Sequence, residues 1–166
     1  MRVTLAALAS VVAALFELTI FDHLRIGGAQ PHPVLVLGIV WGIAIGLEGG
    51  LAVAFVGGLL LDTLAQRPLG SSAFALLLAV GGACLLAAWL GRIKLIAPVI
   101  AVFLFSFVNS ILLLGILGAL SGPAPIADPV GSVLPGAVYD TVLAAIVSPL
   151  LVAIIERRRA EDRMDW

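Results

Sequence analysis

Charge is scarce in this 166-residue chain. Asp, Glu, Lys and Arg make up 11% of it, against 62% for the hydrophobic class. A soluble domain carries roughly 25% charged residues. Eight of the charged residues lie between Glu156 and Asp165, which leaves eleven for the first 155 positions. That excludes a soluble globular domain and a disordered chain. The single cysteine, Cys84, excludes an internal disulfide. A formal net charge of −1, with no basic stripe outside the tail, excludes a basic nucleic-acid binder. Phosphate-cradling glycine loops and nucleophile–base–orienter sets are missing as well. His23 and His32 stand apart in a turn-like segment with no cysteine near them. Neither catalytic residues nor a metal nor a cofactor is therefore expected. What remains is a polytopic membrane protein.

A spanning helix needs ~20 mostly apolar residues. The charge-poor runs, trimmed at proline and glycine clusters, predict an all-α bundle of six transmembrane helices in one membrane domain. The spans run about 3–21, 33–47, 49–65, 72–91, 95–119 and 133–155, with a tail at 156–166. Run 33–65 is too long for one crossing, and Glu48-Gly49-Gly50 reads as a tight turn that divides it. Loop 22–32 is turn-like, and loop 120–132, with three prolines and two glycines, reads as irregular. The tail is expected to extend the last helix briefly, its arginines meeting anionic lipid headgroups.

Basic residues collect on the cytoplasmic side. Six spans with the amino terminus inside put seven basic residues inside and two, Arg25 and Arg67, outside. Five spans with the amino terminus outside give the same division, by exchanging Arg2 with Arg25. The carboxyl terminus is cytoplasmic in both. The first apolar run reads as an uncleaved helix, since a cut after Ala9 leaves too short a core for a signal peptide.

Within the spans, Gly38, Gly42 and Gly46 recur every fourth residue and place a small-residue face on helix two. Gly57, Gly58, Gly81, Gly82, Gly115 and Gly118 add flat faces, for packing within the bundle or for a partner's helix. Pro149 sits inside the last span and predicts a kink. Ionisable groups inside a bilayer cost on the order of 2.5–3.5 kcal/mol each, so Glu17, Asp62 and Asp140 ask for an explanation. On the six-span topology these three and Asn109 share the outer half. Three readings stay open: a solvated helix end with Asp62 paired to Arg67, a polar knot that fixes packing or receives a partner, and a small-molecule pocket. Asp62 sits where the helix dipole disfavours an anion. It needs a donor: Arg67, a backbone amide of the turn, or the neighbouring Ser71 or Ser72.

The block Gly57-Gly58-Leu59-Leu60-Leu61-Asp62-Thr63-Leu64, followed by Pro68-Leu69-Gly70, resembles the rod shape-determining protein MreD family. So do Gly46-Leu47-Glu48-Gly49-Gly50, the Pro33-Val34-Leu35 entry into helix two, and Tyr139-Asp140-Thr141 with Ser148-Pro149-Leu150. That family commonly has an acidic residue where Val34 stands and a more Asn-like one where Asp140 stands. The likeness runs over nearly the whole chain and is most specific across 46–70. It implies a non-catalytic scaffold in the bacterial inner membrane, within the cell-elongation machinery that couples MreB filaments to peptidoglycan synthesis. The implied partner is an MreC-like single-span protein, with a RodA-type polymerase and an elongation transpeptidase nearby. The implied fold is similar to the substrate-binding subunit of energy-coupling-factor vitamin transporters, which makes such a subunit the alternative function. The residues expected to serve partner contact or packing are Gly38, Gly42, Gly46, Glu48, Gly58, Asp62, Pro68, Gly70, Asn109 and Asp140.

Overall fold

A computed structural model describes residues 2–19, 30–90, 96–121 and 129–161. Six α-helices account for nearly all of them: α1 (Arg2–Thr19), α2 (Pro33–Ala44), α3 (Leu47–Leu64), α4 (Ser71–Leu90), α5 (Ala97–Ser121) and α6 (Pro129–Glu161). Four of these, α3 to α6, contain stretches long and apolar enough to cross a membrane; α1 and α2 are shorter apolar helices. The protein is a helical membrane bundle.

The shortest helix occupies the middle. α2 reads Pro-Val-Leu-Val-Leu-Gly-Ile-Val-Trp-Gly-Ile-Ala, with no charged side chain on any face. A helix that is apolar all round must face lipid or be enclosed by protein, and α2 is enclosed. Val34, Leu35, Val36, Ile39 and Val40 are accordingly at most 1% exposed. α2 touches all five other helices. Those five surround it in the order α1, α3, α4, α5, α6, each packed on the next. The circle does not close, because α1 and α6 make no contact among the described residues. At twelve residues α2 is about 18 Å long, well short of a ~30 Å hydrocarbon layer. Its neighbours shield it from lipid.

Glycine sets how closely the helices approach. A Cβ on Gly50 would lie 2.7 Å from the Gly42 Cα and 2.8 Å from the Gly38 carbonyl oxygen. A Cβ on Gly58 would lie 2.4 Å from the Ala73 Cα. α3 therefore meets α2 through one glycine and α4 through another, backbone on backbone.

Two sequence expectations change. The turn between α2 and α3 is made at Ile45 and Gly46, the latter at φ 148°, a conformation that L side chains rarely adopt. Glu48, Gly49 and Gly50 belong instead to the first turn of α3. An acid suits that helix end, and the glycines are consumed in packing: a Cβ on Gly49 would meet the Trp41 ring at 2.5 Å. The last helix begins at Pro129 rather than 133, with proline at a favoured first position, so part of loop 120–132 is helical. It then runs on through Pro135 and Pro149 to Glu161, well into the tail. The rest of that loop and most of 22–32, including His23, lie outside the described residues.

Candidate functional site

α2 begins without a cap of its own. Pro33 has no amide hydrogen, and the His32 side chain makes no capping bond. The exposed amides of a helix start need acceptors, and a membrane interior offers no water. Two carboxylates from distant helices supply them. Glu17 of α1 accepts from the Val34 amide through Oε2 at 3.2 Å, and its Oε1 lies 3.1 Å from His32 Nδ1. Asp140 of α6 accepts from the His32 amide through Oδ1 at 2.6 Å. The Ser106 hydroxyl of α5 donates to the other Asp140 oxygen at 2.5 Å. Glu17 is 4% exposed and Asp140 is fully buried. The positive end of the α2 dipole and these donors stabilise two anions that an apolar bundle would otherwise reject.

His32 is the hub of this clasp. Burial works against its protonation. The Glu17 hydrogen bond and the charges of Asp140 and Glu17 outweigh that and the opposing Arg67 charge, so its pKa rises to about 9. At neutral pH the ring is an imidazolium between two carboxylates.

Asp62 repeats the arrangement at the start of α4. It is fully buried at the end of α3. Its Oδ2 accepts from the Gly70 amide at 2.8 Å, and both oxygens accept from the Ser72 amide, at 2.9 and 3.2 Å. The unfavourable dipole of α3 is thus offset by the favourable one of α4. Of the donors left open by the sequence, the backbone amides are the ones used. Arg67 meets Asp62 only through the main chain, its amide donating to the Asp62 carbonyl at 2.9 Å, so a solvated Asp62–Arg67 ion pair is not formed. The connection between α3 and α4 takes positive φ at Gln66 (53°) and Gly70 (93°). Pro68 offers its carbonyl to the Ser71 hydroxyl at 2.7 Å.

Between the clasp and this turn lies a small cleft. Glu17, His32, Arg67, Ser72 and Asn109 line it, with leucines from α2, α3, α4 and α5. Its volume is about 10 Å³, room for about one water molecule. Five of the six helices or their turns meet there.

The four polar residues singled out from the sequence therefore come together at one end of the bundle. Glu17 and Asp140 share His32, Asp62 holds Ser72, and Asn109 faces the same cleft as Glu17 and Ser72. Gly38, Gly42, Gly50 and Gly58 lie in close helix contacts, Gly58 against Ala73 beside Ser72, Gly46 makes the α2–α3 turn, and Glu48 is exposed. Gly81, Gly115 and Gly118 have nothing within 4 Å of where a Cβ would stand. Sequence reasoning passed over His32, as a loop histidine, and Ser106. The signal for His32 was its place immediately before Pro33, at the mouth of a helix lacking a cap. Among the described residues no group of three His, Cys, Asp or Glu is arranged to hold a metal ion.

Comparison with protein-family models, with curated proteins and with solved structures finds no match to this chain.

Proposed function

We propose that this chain is a non-catalytic scaffold subunit of the bacterial cell-elongation machinery, seated in the inner membrane with its carboxyl tail in the cytoplasm and binding an MreC-like single-span partner. The observation that carries this reading is how the buried carboxylates are used. Each of Glu17, Asp62 and Asp140 is engaged with backbone amides that start a helix. Carboxylates committed in this way hold a shape and are not free for acid–base work. The cleft beside them supports the same reading, since sites for small molecules run to ~300–1,000 Å³ and this one is about 10 Å³. A vitamin-binding transport subunit, the rival function, needs the larger volume. The resemblance to the MreD family across 46–70 agrees: that block forms the α2–α3 turn, α3 and the Asp62-held turn. The acid which the family places after Pro33 is Val34 here, and α2 draws its carboxylates from Glu17 and Asp140 instead.

Depletion in the native bacterium tests the proposal. Rounded cells with normal vitamin uptake are expected, along with co-purification of an MreC-like protein. Normal shape with lost uptake would reverse the assignment in favour of the transporter.

A further inference from the structure

Arg67 is a cation without a partner among the described residues. It lines the cleft and is half-buried. Its main-chain amide is engaged on the Asp62 carbonyl, while its guanidinium makes no hydrogen bond or ion pair among the described residues. His32 lines the same cleft. Its side chain is 23% exposed and its Nδ1 is taken by Glu17. No bond from its second ring nitrogen, Nε2, is formed among the described residues. In the imidazolium that nitrogen carries a hydrogen to donate.

The charge on the cleft wall is positive. Arg67 and His32 contribute two charges and Glu17 removes one, with both of its oxygens already engaged on Val34 and His32. Asp62 and Asp140 do not line the cleft, and their oxygens are held by amides at helix starts and by Ser106. A metal cation would be repelled. Two cationic N–H donors beside a space of about 10 Å³, room for about one heavy atom, suit a single anionic oxygen whose parent group stays outside.

The level of the site in the membrane says where that oxygen comes from. α3 has eighteen residues and is about 27 Å long. It ends at Leu64, so the turn that carries Arg67 lies near the level where a ~30 Å hydrocarbon layer gives way to headgroups. Leu64 and Leu69, on either side of Arg67 in the chain, are 51% and 72% exposed. Apolar side chains beside an unpaired guanidinium at that level match the two parts of a phospholipid, its acyl chains and its phosphate.

We propose that the mouth of the cleft, between Arg67 and His32, binds the headgroup phosphate of one phospholipid, with one phosphate oxygen entering the cleft and the acyl chains lying against Leu64 and Leu69. The lipid bridges the Asp62-held turn and the head of α2. An anionic headgroup such as phosphatidylglycerol is preferred over phosphatidylcholine, whose ammonium would face two cations. The site belongs to the membrane-inserted subunit and stands whether or not the scaffold assignment holds.

The test uses the full chain, stripped of lipid in an uncharged detergent and titrated with phosphatidylglycerol. Native mass spectrometry is expected to show one retained lipid per molecule. Arg67→Gln is expected to weaken that binding at least about tenfold, or about 1.4 kcal/mol. Arg67→Lys keeps the charge without the planar fork and is expected to fall between the two. Removing the same charge from the tail, by Arg157→Gln, is expected to leave the binding unchanged. Should Arg67→Gln fail to fold, the native chain still decides: the His32 ring resonances are expected to shift with phosphatidylglycerol and not with diacylglycerol, which lacks the phosphate. Equal binding by the native chain and Arg67→Gln, or a His32 ring that does not respond to the lipid, overturns the site. Saturable binding of inorganic phosphate alone marks a soluble-anion site, and loss of a co-purifying single-span protein from Arg67→Gln with lipid binding intact marks a partner's carboxylate. Either result overturns the lipid assignment.

Discussion

Replacing Asp62 with alanine removes one carboxylate and strands two amides, that of Ser72 buried and that of Gly70 part-buried. Gly70 and Ser72 donate to it at 2.8 and 2.9 Å, at a position with no solvent exposure. A donor left without a partner costs about 1–3 kcal/mol, and losing a helix cap costs about 0.5–2 kcal/mol. These overlap, because the Ser72 amide is the capped donor, so the combined loss is expected near ~2–4 kcal/mol. Asp62→Asn is the control. It keeps one oxygen acceptor and discards the charge, and it is expected to lose about half as much. The assay is reversible unfolding of the purified protein in mixed micelles, followed by far-ultraviolet circular dichroism. A loss under about 0.5 kcal/mol for Asp62→Ala, the range of ordinary surface changes, refutes the argument that this carboxylate holds the turn.

Other outcomes follow from the same geometry. The His32 pKa, raised to about 9 from an ordinary 6.5 by Glu17 and Asp140 against burial and Arg67, makes stability pH-dependent. The stabilisation, on the order of 2–3 kcal/mol, is full below about pH 6.5 and is lost as pH rises through about 9; His32→Gln is expected to flatten that slope in unfolding midpoints measured from pH 6 to 10. Gly50→Ala drives a Cβ into the backbone of α2 and is expected to cost about 1–3 kcal/mol, read as a lowered thermal midpoint. Gly118→Ala, with open space around it, is expected to leave that midpoint unchanged or slightly raised. Glu17→Gln keeps an acceptor for Val34 and removes the His32 ion pair, so titration of the His32 ring by nuclear magnetic resonance is expected to give a pKa well below 9.

The helices were legible because lipid and the bundle interior demand long apolar runs, and the observed bounds of α1, α3, α4 and α5 fall within two residues of the expected ones. Glu17, Asp62 and Asp140 were legible because charge inside such runs is costly and has to be compensated somewhere. What compensates it was not. The partners are backbone amides, which every residue carries, so no residue type marks them. Ser106 was invisible for a related reason: a serine in a spanning helix can satisfy itself on its own backbone, as Ser10 does here on the Ala7 carbonyl at 2.7 Å. Gly49 and Gly50 misled because a glycine pair beside an acid suits a turn and a tight helix crossing equally well, and only the neighbouring Trp41 and Gly42 decide between them.

The place of α2 carries a consequence for how the chain is made. Its first amide after Pro33 is paired with a residue seventeen positions earlier, but the His32 amide waits for Asp140, 108 residues later. Ribosomes deliver the second helix long before the sixth. Until α6 arrives, the innermost helix keeps an unpaired amide at its head and an uncovered side, and its twelve residues are too few to shelter it in lipid alone. Completion of the bundle is therefore coupled to completion of synthesis. A nascent chain stopped before α6 lacks both the Asp140 acceptor and the α6 face that covers α2.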